Sequence, residues 1–174
     1  MEDYQKEKAE TSAKSKALQP PLTFAAGDSW LMGKEYRVER RNHDRYLLLY
    51  TTSGEGYLFY EEQEYRLLPG SVFLIDCNRF HIYRTVAEQW GFVFIHFQTD
   101  CLQDYVNELY HRYGAVFYLP EGNLMERRMR AVISLCQTYN TAARHQSFGL
   151  LAQLLDMLYV AAEQSDNNRP LSDH

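Results

Sequence analysis

The chain has 174 residues, enough for one domain with a substantial core and few for two. Its 18 basic and 23 acidic side chains leave a net charge of -5, which argues against a broad phosphate-tracking face such as nucleic-acid binders build. Cys77, Cys101 and Cys136 are odd in number and widely spaced, without a CxxC pair. That excludes a disulfide framework or zinc-ligand rhythm, and with no apolar stretch of signal-peptide or bilayer length the expected location is the cytoplasm, away from membranes.

Residues 1–21 are rich in Lys, Glu, Ala and Ser, run into Pro20-Pro21, and are expected to form a disordered tail. Residues 22–37 carry Phe24, Trp30 and Leu31 between the breaks at Gly27-Asp28 and Gly33. They read as an N-terminal arm of short extended pieces laid on the main body.

From Val38 to Phe97 the pattern is β. Apolar and aromatic runs occupy Tyr46–Thr51, Tyr57–Tyr60, Tyr65–Leu68, Val72–Ile75, Ile82–Val86 and Gly91–Phe97. Ser53-Gly54-Glu55-Gly56, Glu61-Glu62-Gln63 and Pro69-Gly70 punctuate them as turns, which predicts an antiparallel sandwich or small barrel. The Gly54-Glu55-Gly56 triplet lacks the third glycine and the following helix of a dinucleotide loop, so it reads as a hairpin turn.

After Phe97 the period becomes helical. Asp100 and Gln103 form a box-like start, Leu102, Tyr105, Val106, Leu109 and Tyr110 stripe one face, and Gly114 ends the helix. "AVFYL" supplies a short strand before Pro120. Asn123 and Glu126 then open a helix striped by Met125, Met129, Val132, Ile133, Cys136 and Tyr139.

The last helix carries two stripes, Phe148, Leu151, Leu155 and Leu158 beside Leu150, Leu154, Met157 and Ala161. Burial within the chain accounts for one stripe, and a homodimer interface for the second, with Gly149 tolerable where two helices approach closely. The barrel is thus expected over 38–120 with one inserted helix, a helical dimerisation segment over 121–165, and a linker over 166–174.

No nucleophile elbow, phosphate loop or zinc-protease motif is present. His81, His96, His43, Glu62, Glu64 and Cys77 are the candidate metal ligands, but no H-x-H pair exists to place two on one strand face, so no metal and no cofactor is expected. His81 reads as a turn or pocket-edge residue.

The Y-L-L-x-Y run at Tyr46, the S-G-x-G turn at Ser53, the L-x-P-G-x-x-x-L-I run ending at Ile75, the histidine-aromatic pair at His81 and the W-x-x-x-x-x-H-F run from Trp90 occur in an order that resembles the amino-terminal domain of AraC-family transcription regulators. The resemblance covers about residues 37–97. It implies a mainly β fold with C-terminal helices: a cupin-like antiparallel β-barrel (double-stranded β-helix) followed by a helical dimerisation segment.

It further implies a non-enzymatic sensor for a sugar or other small metabolite, with DNA bound only through a carboxy-terminal domain that does not lie in this sequence. Carried over by position, the ligand contacts are Tyr83, Phe92 and Phe94, with His81 at the pocket edge and Arg41, or its neighbour Arg40, as the anion-pairing group. The pattern departs from cupins at Asp76, where proline is usual, and at Asn78, where asparagine in place of glycine is expected to tolerate a left-handed turn. A small cupin enzyme, an isomerase or dioxygenase, and a stand-alone carbohydrate-binding cupin are the alternatives.

Overall fold

The computed structural model describes residues 20–138 and 140–167, so most of the expected tail and linker, and Tyr139, lie outside the described residues. Seven strands form one antiparallel sheet: β1 Leu22–Gly33, β2 Arg37–Arg40, β3 Tyr46–Tyr60, β4 Gln63–Leu67, β5 Ser71–Asp76, β6 His81–Thr99 and β7 Val116–Tyr118. Helix α1 (Gln103–Tyr113) sits between β6 and β7, and α2 (Met125–Cys136) and α3 (Thr141–Asn167) follow. The fold is mainly antiparallel β with C-terminal helices, as the sequence pattern implies. The hydrogen-bonded path β1-β6-β3-β5-β7 stays open at its ends, with β2 on β6 and β4 on β3.

One of the expected turns is absent as a turn: Ser53–Gly56 lies inside one 15-residue strand, β3, and the separate runs Ile82–Val86 and Gly91–Phe97 merge into the 19-residue β6. Both strands stay paired along their length, with register shifts at Thr51/Ser53 and Gly54/Gly56 that bend the pair over on itself. Residues 22–33 likewise form one strand rather than broken pieces, pairing with β6 from Leu22↔Thr99 to Gly33↔Gln89. The partner lies some sixty residues away in sequence, so local breaks at Gly27 and Gly33 do not decide the outcome.

The true turns are made by side chains and strained backbone. Glu61 and Glu62, with φ of 50° and 61°, form the two-residue loop between β3 and β4, where both residues of a type I′ turn need positive φ. Between β5 and β6, the Asp76 carboxylate accepts the Asn78 backbone N–H at 2.9 Å. Among the described residues the positive-φ non-glycines are Asn42, Glu61 and Glu62. Asn78 therefore turns without the left-handed conformation expected of it, because Asp76 supplies the constraint.

Helix starts differ in the same way. Thr99 Oγ1, rather than Asp100, accepts the Cys101 and Leu102 N–H groups before α1, at 3.3 and 3.2 Å. Asn123 does accept the Met125 N–H, at 2.9 Å, and Asn140 accepts that of Ala143 at 2.7 Å.

Strand alternation divides the core. Leu47 and Leu49 of β3 point to an interior cluster with Leu58, Tyr60, Phe73, Tyr83, Trp90 and Phe92. Tyr46, Leu48 and Tyr50 point the other way, to the layer that α2 and α3 cover with Met129, Val132, Leu151, Leu154 and Leu158. The first stripe of α3 is thus buried at Leu151, Leu155 and Leu158, with Phe148 half-buried. In the second, Leu154 at 0% exposure is also spent inside the chain, whereas Ala161 at 7% borders an open groove and Leu150 and Met157 are half-buried. Gly149 has nothing within 4 Å of an added Cβ, so no close helix approach explains it among the described residues.

Candidate functional site

A cavity of about 160 Å³ opens at one end of the interior cluster. Strand β6 supplies Tyr83, Phe92, Phe94 and His96, β3 supplies Leu47 and Leu49, β1 brings Trp30, and Tyr36, Val38 and Arg40 come from β2 and the residue before it. Period-two alternation sets both main rows: Phe92, Phe94 and His96 share one face of β6, and Tyr36, Val38 and Arg40 share one face of the other edge.

The walls are aromatic. Trp30 meets Phe94 edge-on at a centroid distance of 4.8 Å, and Tyr36 lies 5.8 Å from Phe92 and 6.2 Å from Tyr83. Tyr83 turns its hydroxyl toward that of Tyr36, and burial raises both phenols above their usual range. Trp30 is 40% exposed and forms the mouth, its indole N–H donating to Asp28 Oδ2 at 3.1 Å.

The polar groups gather at one end. His96 Nδ1 is buried without a hydrogen-bond partner among the described residues, and Arg40 has no carboxylate within ion-pair distance there. The His43 ring stands edge-on to His96 at 5.5 Å. Burial, then the nearby His43, Arg45 and Arg40, push His96 down to about 4. His43 and His81 are lowered too, burial being the largest cause in each.

An unfolded histidine titrates near 6.5, so between that pH and about 4 the unfolded chain binds the proton that folded His96 refuses. This contribution to stability is complete above pH 6.5 and is lost as pH falls through the window. Urea midpoints are expected to drop between pH 7.5 and pH 5, and to drop less in His96→Phe. An undiminished drop in the variant would remove His96 as a source.

Of the residues expected from sequence, Tyr83, Phe92 and Phe94 come together in this cavity and two do not. Arg41 carries its guanidinium over the Phe80 ring at 5.1 Å, because one step along an extended chain reverses the side chain; Arg40 faces the cavity instead. His81 is 1% exposed, directs Nδ1 to the Arg79 carbonyl at 2.9 Å and stacks parallel on Tyr83 at 6.0 Å, behind the lining. Trp30, Tyr36 and His96 were not expected at the site. Among the described residues no three His, Cys, Asp or Glu side chains converge as metal ligands, so the residues present do not fit a cupin metal. Cys77 is buried, and its thiol is pushed up to about 12 by burial.

A larger cleft of about 460 Å³ lies between β1 and the helices. Two of its polar side chains are engaged, Asn140 in capping α3 and Ser147 Oγ in donating to the Arg144 carbonyl at 2.8 Å, and Phe24 is its one aromatic ring. The smaller cavity gathers the aromatic rings of Trp30, Tyr36, Phe92 and Phe94 around Arg40 and His96, which is the composition of a small-molecule site.

The family model described as an AraC-like ligand binding domain matches residues 31–168. Among solved structures, the chain is similar to an HTH_3 family transcriptional regulator from Vibrio cholerae, at 18% identity, 44% coverage of this chain and a TM-score of 0.39; it spans 43% of that chain's length. It is also similar to the Cupin_2 domain of an XRE family transcriptional regulator from Enterobacter cloacae, at 15% identity, covering 44% and 81% of the two chains with a TM-score of 0.38. A cupin superfamily protein from Desulfitobacterium hafniense aligns at 13% identity, covering 50% and 86%, with a TM-score of 0.38. A search of the curated proteins finds no match.

Proposed function

The chain belongs to the AraC-like ligand binding domain family, and from that premise we propose that it senses a small effector in the aromatic cavity and relays occupancy to a DNA-binding domain of the same regulator, through a homodimer. The observation that carries the reading is the cavity itself: strands β1, β2, β3 and β6 converge on it, and its unused polar atoms lie at one end.

Strand β1 is the natural relay. Its Trp30 forms the cavity mouth, while Arg130 of α2 donates to the neighbouring Ser29 hydroxyl at 3.1 Å and Ile133 packs against Gly27. An effector that moves Trp30 thus acts on a strand already fastened to the helices. It shifts the balance of states only by binding one of them better.

For the homodimer, the surface offered is the apolar groove between the β7–α2 connection and α3, where Leu124 and Val160 are exposed beside Met157. Val160→Asp is expected to give the monomer in sedimentation velocity while the melting temperature holds. A wild-type monomer at high concentration would contradict this use of the groove.

A thermal-shift screen of small metabolites tests the sensor reading. Ligand at about a hundredfold its Kd stabilises by ~2.7 kcal/mol, or roughly 5–10 °C in a domain of this size. Trp30→Ala is expected to weaken any such ligand tenfold or more with little change in the free protein. Hits whose affinity ignores Trp30 would place the effector elsewhere.

A further inference from the structure

We propose that the effector is a single-ring aromatic carboxylate, its ring held between Trp30, Tyr36, Phe92 and Phe94 and its carboxylate at the end formed by Arg40 and His96. The proposal rests on the sensor reading above and names the ligand class for the same cavity.

Size limits the ligand first. An apolar protein cavity of about 150 Å³ accommodates benzene, so about 160 Å³ admits one ring and a small substituent. The wall rings pack on one another with centroids 4.8–6.2 Å apart, and the faces and edges they turn to the cavity are offered to a flat ligand.

Polarity then argues against a sugar. A sugar carries hydroxyls around its whole ring, and each would need a partner on leaving water. The cavity has four polar side chains facing it with hydrogen-bonding capacity to offer, fewer than the hydroxyls and ring oxygen of a sugar require, and Tyr83 already turns its hydroxyl toward that of Tyr36. Arg40 and the unpartnered His96 Nδ1 are the basic pair among them and suit one polar group.

Charge selects the sign of that group. His96 feels His43, Arg45 and Arg40, all basic, in a chain whose net charge is -5. A carboxylate placed there pairs with the Arg40 guanidinium and accepts a hydrogen bond from imidazole, whereas a cation is repelled.

The test is binding to the full chain by calorimetry, with Trp30 fluorescence as a second readout, for benzoate, benzamide, cyclohexanecarboxylate and D-xylose. Benzoate is expected to bind at least tenfold more tightly than benzamide, which has the same shape without the charge, and than cyclohexanecarboxylate. Arg40→Gln, at an exposed position, is expected to cost benzoate tenfold or more and benzamide much less, with the melting temperature of the free protein as the check on folding. Equal affinity for benzamide, or for benzoate in Arg40→Gln, overturns the carboxylate assignment. Tighter binding of cyclohexanecarboxylate or xylose overturns the aromatic one, in each case with the sensor reading intact. No response to any of the four overturns the aromatic-carboxylate assignment, while the sensor reading is decided by the wider thermal-shift screen.

Discussion

Replacing Trp90 by alanine is expected to lower the unfolding free energy by about 3–5 kcal/mol, the cost of deleting a fully buried aromatic side chain. Trp90 has no exposed surface, lies 4.5 Å from Phe92 and 6.4 Å from Tyr83 between ring centroids, and donates its indole N–H to Thr51 Oγ1 at 3.2 Å. Strands β3 and β6 bend together at this point, so the hole left by the indole falls where the backbone has least freedom to close it. Trp90→Phe should cost less, since Thr51 Oγ1 keeps the Ser71 hydroxyl at 3.3 Å. Urea denaturation followed by far-UV circular dichroism measures both; a loss below about 1.5 kcal/mol for the alanine variant would deny Trp90 its place as the keystone of the interior cluster.

Gly54→Ala is expected to cost roughly 3 kcal/mol for a different reason. Gly54 has φ of +67°, and an added Cβ would lie 2.0 Å from the Gln89 carbonyl oxygen, a backbone atom with no room to give. Left-handed strain contributes about 1–2 kcal/mol and forced backbone displacement a further 1–3. Two residues on, a Cβ at Gly56 would meet the Trp90 ring at 2.3 Å, so the two glycines let β6 cross β3 closely. Gly149→Ala is the control: no atom lies within 4 Å and the site is an exposed helix interior, where alanine should stabilise by about 0.5–1 kcal/mol. Opposite signs from one substitution would separate close approach from conformational freedom. A Gly54→Ala variant as stable as wild type would show that the bend is not built on that contact.

These glycines mark where sequence reading reached its limit. Ser53-Gly54-Glu55-Gly56 has the composition of a turn, and nothing local tells that Trp90, more than thirty residues later, needs the space. The runs of Tyr46–Thr51, Val72–Ile75 and Gly91–Phe97 were legible because burial on one or both faces writes itself into consecutive apolar residues. Residues 22–33 were not legible as one strand, since their partner is the far end of β6.

The cavity was half legible. Tyr83, Phe92 and Phe94 came from the resemblance, and the alternation that places Phe92 and Phe94 on one face extends by the same step to His96. Arg40 follows from Tyr36 and Val38 once β2 is known to be extended. Four residues reading Arg-Val-Glu-Arg give too little periodicity to recognise that strand, which is why Arg41 looked equal to it. Trp30 could not be reached from local pattern at all, because only its pairing with Phe92 across β1 and β6 brings it to the mouth.

The claim that the aromatic cavity is the effector site is tested most directly by methyl NMR of the leucine-labelled chain titrated with benzoate. The Leu47 and Leu49 methyls line the cavity, whereas those of Leu151 and Leu155 lie among the helices. The largest shifts are expected at Leu47 and Leu49 and should saturate with the same midpoint as Trp30 fluorescence. Shifts centred on Leu151 and Leu155, with Leu47 and Leu49 unmoved, would contradict it.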